Sequence, residues 1–354
     1  MHMNNREDKR RKRILKQRRL HHILRRKKKY PRQEKGKTNL KIGGVPQDIK
    51  KPSKTVRAPK DFRLLNNTIE CINFFKKIRN KDNAYMKYGH WEIKIDLSGI
   101  EKIDFASTMM LDAICEELSS LTPPCNIFGT APLDDACRQY LLDSGFLNNK
   151  YNEYGRKFPD LGHSANIKIE RGRAKLEDGD IQKVVDIEKR ICRHVTGVDG
   201  REYSHINMIK EICGNTVDWS GAIHDQWVYG TKFEDGRVIG IALDLGKGIL
   251  ETIVIKFENL IKDLVKQNSH IEILDGAFNR KYGSKSGKPN RNRGLPSIKR
   301  ANENGRIKDL VVITNNVILD FTNKQNNCKF ASRKSKGFNG TLYSWVIDAS
   351  CYQK

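Results

Sequence analysis

The chain of 354 residues has no apolar run approaching the ~20 residues that a membrane-spanning helix needs, which argues against an integral membrane protein. No apolar segment follows its N-terminal charges, so a secretory signal peptide is not indicated, and a soluble cytoplasmic protein is expected. None of the eight cysteines (Cys71, Cys115, Cys125, Cys137, Cys192, Cys213, Cys328 and Cys351) belongs to a C-x-x-C pair. They read as reduced, mostly buried thiols rather than a zinc site or a disulfide framework. The nine histidines show no metal-ligand spacing. Helix-turn-helix and zinc-finger patterns are missing too, so sequence-specific DNA recognition is not expected.

Positive charge is abundant, and it is uneven. Residues 1–60 hold 23 Lys and Arg against 4 Asp and Glu, leaving 44 basic and 38 acidic groups for the rest of a chain whose formal charge is +25. Runs such as Lys9-Arg10-Arg11-Lys12-Arg13 come with few large apolar residues, so this arm cannot bury a core and is expected to be disordered in isolation. It suits nucleic acid or another polyanion, with affinity falling steeply with salt.

In the second half, Val238 to Leu243 read as a buried strand that delivers Asp244 to its end, followed by Leu245-Gly246-Lys247-Gly248. Trp227–Phe233 and Val238–Asp244 flank Glu234-Asp235-Gly236, a hairpin signal. Upstream, Ser204–Asp218 read as an amphipathic helix with Ile206, Ile209, Cys213 and Val217 on one face. Glu211 and Asn215 lie four apart on another face, a carboxylate above an amide. Downstream, the polar stretch Gly276–Asn292 reads as a mobile loop, after which Arg293-Gly294-Leu295 opens a helix. A glycine there suits phosphate, because backbone N–H groups point outward and the helix dipole favours anions. Gly340-Thr341 enters a final strand running to Ile347.

Taken in this order, these pieces resemble the GHKL family of ATPases (gyrase, Hsp90, histidine kinase, MutL). Glu211 and Asn215 match its N-box, Asp244-x-Gly246-x-Gly248 its first glycine box, Arg293-Gly294-Leu295 a degenerate second glycine box, and Gly340-Thr341 its closing strand. The resemblance implies an ATP site over residues 180–354. Asp244 would accept from the adenine amino group, Asn215 would supply an oxygen to Mg²⁺, and Glu211 would orient or deprotonate the attacking water. Gly246, Gly248 and Gly294 would admit backbone amides to the phosphates. Arg293 is a phosphate contact or one more cation of the loop. Thr341 lines the pocket or satisfies a strand-end backbone group, and Lys247 faces solvent. The loop would be an ATP lid, and ATP-dependent dimerisation is common in this family.

The segment 61–150 alternates strands and helices. A helix over Asn66–Arg79 has Ile69, Ile72, Phe74 and Phe75 as its apolar residues, and Trp91–Leu97 is half-buried in pattern. A helix from Phe105 or Ala106 carries Met109, Met110, Leu111, Ile114 and Leu118, and another ends on Gly145. With Asp96-Leu97-Ser98-Gly99 and Asp104-Phe105-Ala106-Ser107, this order resembles the STAS domain of anti-sigma-factor antagonists. An interaction or packing role is expected of this domain. Ser107 and Thr108 are either plain helix-start residues, the favoured reading, or phosphate acceptors.

The expected architecture is therefore α/β: a basic arm over 1–60, a STAS-like domain over 61–150, a linker over 151–179, and a two-layer α/β sandwich of the GHKL (Bergerat) type over 180–354. The leading function is a Mg-ATP-dependent ATPase acting as a switch, with ATP and Mg²⁺ as cofactors. Its rivals are a serine/threonine kinase like the anti-sigma-factor kinases and a non-catalytic nucleic-acid-binding protein. A sensor histidine kinase is disfavoured, because no phosphoacceptor-histidine helix precedes the site.

Overall fold

Alternation along one strand sets the first sheet. In β4 (His90–Asp96), Ile93 and Ile95 point into the core while Lys94 and Asp96 lie on the other face, half-buried. The computed structural model describes residues 55–87, 90–147, 150–152, 158, 166–172, 176, 178–220, 227–256, 269–280, 294–330 and 338–353. Residues 51–354 form one compact unit. Of the basic arm, therefore, only its last few residues are described.

The first sheet runs parallel in the order β1 (Val56–Arg57), β4, β6 (Cys125–Thr130), β7 (Tyr151–Asn152), with β3 (Tyr85–Lys87) antiparallel to β4. A two-stranded parallel pair, β2 (Asp61–Phe62) and β5 (Lys102–Ile103), lies apart from it. Three helices belong to this part: α1 (Thr68–Arg79), α2 (Phe105–Ser119) and α3 (Asp135–Asp143). On α1, Cys71, Ile72, Phe74, Phe75 and Ile78 are buried, but Ile69 is 54% exposed and does not share the core face expected of it. The α2 helix begins where Asp104 accepts the Ser107 N–H. Its first seven residues, Phe105 to Leu111, are all buried. A helix start buried on every side has to be covered on every side.

A second sheet supplies that cover. It is antiparallel throughout, in the order β13 (Cys328–Lys329), β12 (Val317–Asp320), β11 (Lys308–Asn315), β14 (Phe338–Asp348), β10 (Arg237–Asp244), β9 (Trp227–Glu234), β8 (Ile167–Gly172). The β9–β10 hairpin turns at Gly236 with φ +67, which the Glu-Asp-Gly signal requires. Helices α4 (Asp178–Thr196), α5 (Tyr203–Asn215), α6 (Ile249–Lys256), α7 (His270–Phe278) and α8 (Gly294–Glu303) complete the described helices. One sheet face, with Tyr229, Val238, Ala242, Tyr343 and Trp345, shares a core with Ile187, Ile209 and Ile298 of the helices.

A two-layer sandwich would leave the opposite face bare; here it is buried. Val228, Ile241, Leu243, Ile313 and Leu342 share one core with the first sheet's helices. Gly230 of β9 lies directly under α2, where an added Cβ would stand 2.6 Å from Met109 Cε. Asp112 of α2 also pairs with Arg171 of β8 and with Lys150. The molecule is α/β, with α2 packed between two sheets.

One local expectation changes. Gly276 and Phe278, assigned to a mobile loop, close α7 and are buried; a capping box of Ser269 and Glu272 starts that helix. Residues 281–292 of that loop, and Arg293 after it, lie outside the described residues. Ser107 and Thr108 are buried, and both hydroxyls donate to the Asp104 carbonyl, so they act as helix-start residues.

Candidate functional site

The strand register gathers polar residues at one end of the helix-covered face. Asp244, the last residue of β10, pairs with Thr341 of β14, which pairs with Thr314 of β11; Trp227 of β9 lies on the other side of Asp244. Period-2 alternation puts this row on the same face as Ala242, Tyr343 and Val312.

Asp244 is buried. Desolvation pushes its carboxyl up to about 6, opposed by the Gly246 amide, the Thr341 hydroxyl and the charge of Arg79. Its Oδ1 accepts the Gly246 N–H at 2.8 Å, a turn that Asp side chains favour. The Thr341 hydroxyl stands between Asp244 and Thr314 Oγ1, the latter 3.2 Å away.

The glycine box is held from β11. Thr314 Oγ1 accepts the Ile249 N–H at 2.9 Å, and Asn315 Oδ1 accepts the Leu250 N–H at 3.0 Å, so two side chains from a distant strand cap α6. Asn315 Nδ2 also donates to the Lys247 carbonyl at 2.7 Å. Gly248 has φ +81, and a Cβ there would lie 2.5 Å from Asn315 Oδ1. The amide of Gly246 and those just after Gly248 therefore already have acceptors within the chain. Gly248 serves turn geometry and the Asn315 contact.

The second cluster forms where α5 meets α8. Glu211 and Asn215 lie one turn apart on α5, and Gly294 starts α8 against them. A Cβ on Gly294 would stand 2.7 Å from Glu211 Oε2 and 3.2 Å from Asn215 Nδ2. Only glycine lets the helix start come this close. Asn215 Nδ2 is buried without a hydrogen-bond partner, a state that costs about 1–3 kcal/mol unless something fills it. Directly after Asn215 the helix widens into a π-type turn, Thr216–Ser220, against which α6 packs. That contact links the Glu211–Asn215 cluster to the helix that leaves the glycine box.

The structure thus brings Asp244, Gly246 and Thr341 together, and Glu211, Asn215 and Gly294 together. Among the described residues, no group of three or more His, Cys, Asp or Glu side chains has metal-binding geometry. None of the helices among them is long and apolar enough to cross a membrane. Comparison with family models, curated proteins and solved structures returned no match. The reading of the site rests on its geometry.

Thr314, Asn315 and Trp227 went unnoticed as site residues in the sequence. Thr314-Asn315-Asn316 after the apolar Leu310–Ile313 signals a strand end, but nothing local says which loop it caps.

Proposed function

We propose that the chain binds adenine nucleotide with Mg²⁺ and hydrolyses it at the site between β10, α5 and α8, as a GHKL-type ATPase. The observation that carries this reading is Asp244. An ionisable carboxyl buried at a strand end, with acceptor capacity beyond its Gly246 and Thr341 bonds, is costly without a ligand and selective with one. It suits an amino group held in the plane of a base, and a site built to accept such a hydrogen bond rejects bases that lack the donor.

The sheet order supports the same reading. The strand bearing Asp244 lies between its hairpin partner and β14, with β11 beyond, and α5 and α8 cover that face. The residues also fit a phosphate–magnesium group. The unpartnered Asn215 amide offers a donor to phosphate or, turned over, an oxygen to the cation. Mg²⁺ takes few protein ligands and keeps phosphate and water for the rest, which suits a site with no carboxylate cluster. When bound, the ion neutralises phosphate charge. Glu211, one turn from Asn215 on α5 and against the start of α8, would hold and deprotonate a water.

The serine/threonine-kinase alternative would use the same nucleotide site with an acceptor on another protein. The proposed polyanion-binding arm remains a matter of its charge, since residues 1–54 lie outside the described residues.

Calorimetric titration with Mg-ATP of the native chain, Asp244→Asn and Glu211→Ala tests the site. Binding lost in Asp244→Asn, with binding kept but phosphate release lost in Glu211→Ala, is the expected pattern. A folded native chain that binds no adenine nucleotide would refute the proposal.

A further inference from the structure

The seam between the two sheets reaches the candidate site at one side chain. Arg79, the last residue of α1, donates to Glu117 Oε1 on α2 at 2.7 Å, to the Asn339 carbonyl at 3.0 Å and to the Leu245 carbonyl at 3.3 Å. Leu245 directly follows Asp244, and Asn339 stands two residues before Thr341. Asp244 and Thr341 are the last paired positions of β10 and β14 at this end. One planar guanidinium, with its donors in a fixed fork, therefore ties together the two strand ends that carry the ligand-facing pair. It does so from the part of the molecule that carries the first sheet.

The tie is partly buried: the Arg79 side chain is 22% exposed and that of Glu117 is 12% exposed. Glu117 Oε2 is buried with no partner, so Arg79 is the cation that keeps this carboxylate tolerable in place. The positive charge also favours the ionised form of Asp244. The other titratable group facing Asp244 is the Tyr343 hydroxyl of β14, which burial keeps protonated.

We propose that Arg79 is a positioning residue for the nucleotide site: it sets the spacing of the Asp244 and Thr341 strand ends. The first sheet and its helices are then a working part of that site, where the sequence suggested a separate regulatory module. The inference rests on the adenine-nucleotide reading above for its ligand, though not for its mechanical content.

The test uses the full chain, as Arg79→Lys and as Arg79→Met combined with Glu117→Gln, so that no carboxylate is left buried and unpaired. Two quantities are read on folded protein: Mg-ATP affinity against pH, and hydrogen exchange of the Gly246 amide. The double variant is expected to bind roughly tenfold more weakly near neutral pH, an ordinary size for coupling between sites. Its loss of binding on acidification should also begin at a higher pH than in the native chain. Arg79→Lys keeps the charge and is expected to hold the native pH midpoint with a smaller loss of affinity. Gly246 exchange should quicken in the double variant, because its acceptor Asp244 is no longer held. Native affinity, midpoint and exchange in that variant would overturn the proposal. If the native chain binds no nucleotide, the ligand reading falls alone, and Gly246 exchange still decides the role of Arg79: faster exchange supports it, unchanged exchange overturns it.

Discussion

Two carboxylates buried in the second α/β part, Glu188 and Asp244, are partnered in opposite ways. Glu188 Oε1 accepts from Tyr352 Oη at 2.6 Å, the Glu202 amide at 3.1 Å and His205 Nδ1 at 3.0 Å. His205 Nε2 bonds the Arg306 carbonyl, so both ring nitrogens face acceptors and the ring is held as a cation. Burial opposes that charge, but the carboxylate and the carbonyl outweigh it, and the His205 pKa is raised. This network joins α4, α5, the loop before β11 and the C-terminal turn at Ala349–Tyr352. It is closed, and it reads as a clamp. Asp244 is buried with two donors, the Gly246 amide and the Thr341 hydroxyl, and its pKa moves the costly way. A buried charge whose partners are all in the chain supports the fold; one with capacity left over points to a ligand.

The contrast breaks most sharply at Glu188. Glu188→Ala leaves His205 and Tyr352 facing an apolar gap, and chemical denaturation should show a loss of about 3–5 kcal/mol. The sign with pH follows from the raised His205 value. Stability from the pair is full below the ordinary histidine pKa of ~6.5 and is lost as pH rises through the folded value. That slope should disappear in the variant.

Asp244→Asn is expected to do the reverse. A carboxyl raised from 3.8 to about 6 favours the folded state at low pH and disfavours it as pH rises through about 6. The amide removes that penalty, so ligand-free protein should gain about 2–3 kcal/mol above neutrality, while nucleotide binding is lost. The gain should fade below about pH 6. Equal or lower stability of the variant above neutrality would mean that Asp244 is a satisfied structural residue like Glu188.

Gly294→Ala sharpens the comparison within the site. Its methyl meets Glu211 Oε2, so it should cost about 1–2 kcal/mol of stability and depress phosphate release more than nucleotide affinity. The smallest effect is expected for Thr314→Val, which keeps the shape and removes the acceptor of the Ile249 amide. It should cost about 1 kcal/mol, as lost helix caps do, seen as a lower melting temperature.

Much of the local structure was legible in the sequence. Glu234-Asp235-Gly236 between alternating runs encodes a hairpin wherever it occurs, and Asp104 before Phe105 encodes a helix start. Four-residue spacing puts Glu211 above Asn215 on any helix. These are short-range facts, set by backbone sterics and periodicity. The residues from Phe105 to Leu111 include Met109, Met110 and Leu111 on several sides of α2, but nothing in them says what covers the start of that helix.

What covers it is the second sheet, and only packing decided that. No local rule pairs Thr314 and Asn315 with the amides of a helix some 65 residues earlier, or aims Arg79 at carbonyls 166 and 260 residues away. Such contacts arise because antiparallel register brings β10, β14 and β11 to a common end, and because α2 fills the gap between the two sheets. The sequence by itself determined the elements, the uneven charge and the pairing of Glu211 with Asn215 on one helix face. Tertiary structure decided that Asp244 is buried, that Thr341 lies beside it, and that Arg79 from the first sheet's helices bonds the carbonyl of the next residue, Leu245. Burial and long-range hydrogen bonds depend on which surfaces meet, and that is a property of the folded chain as a whole.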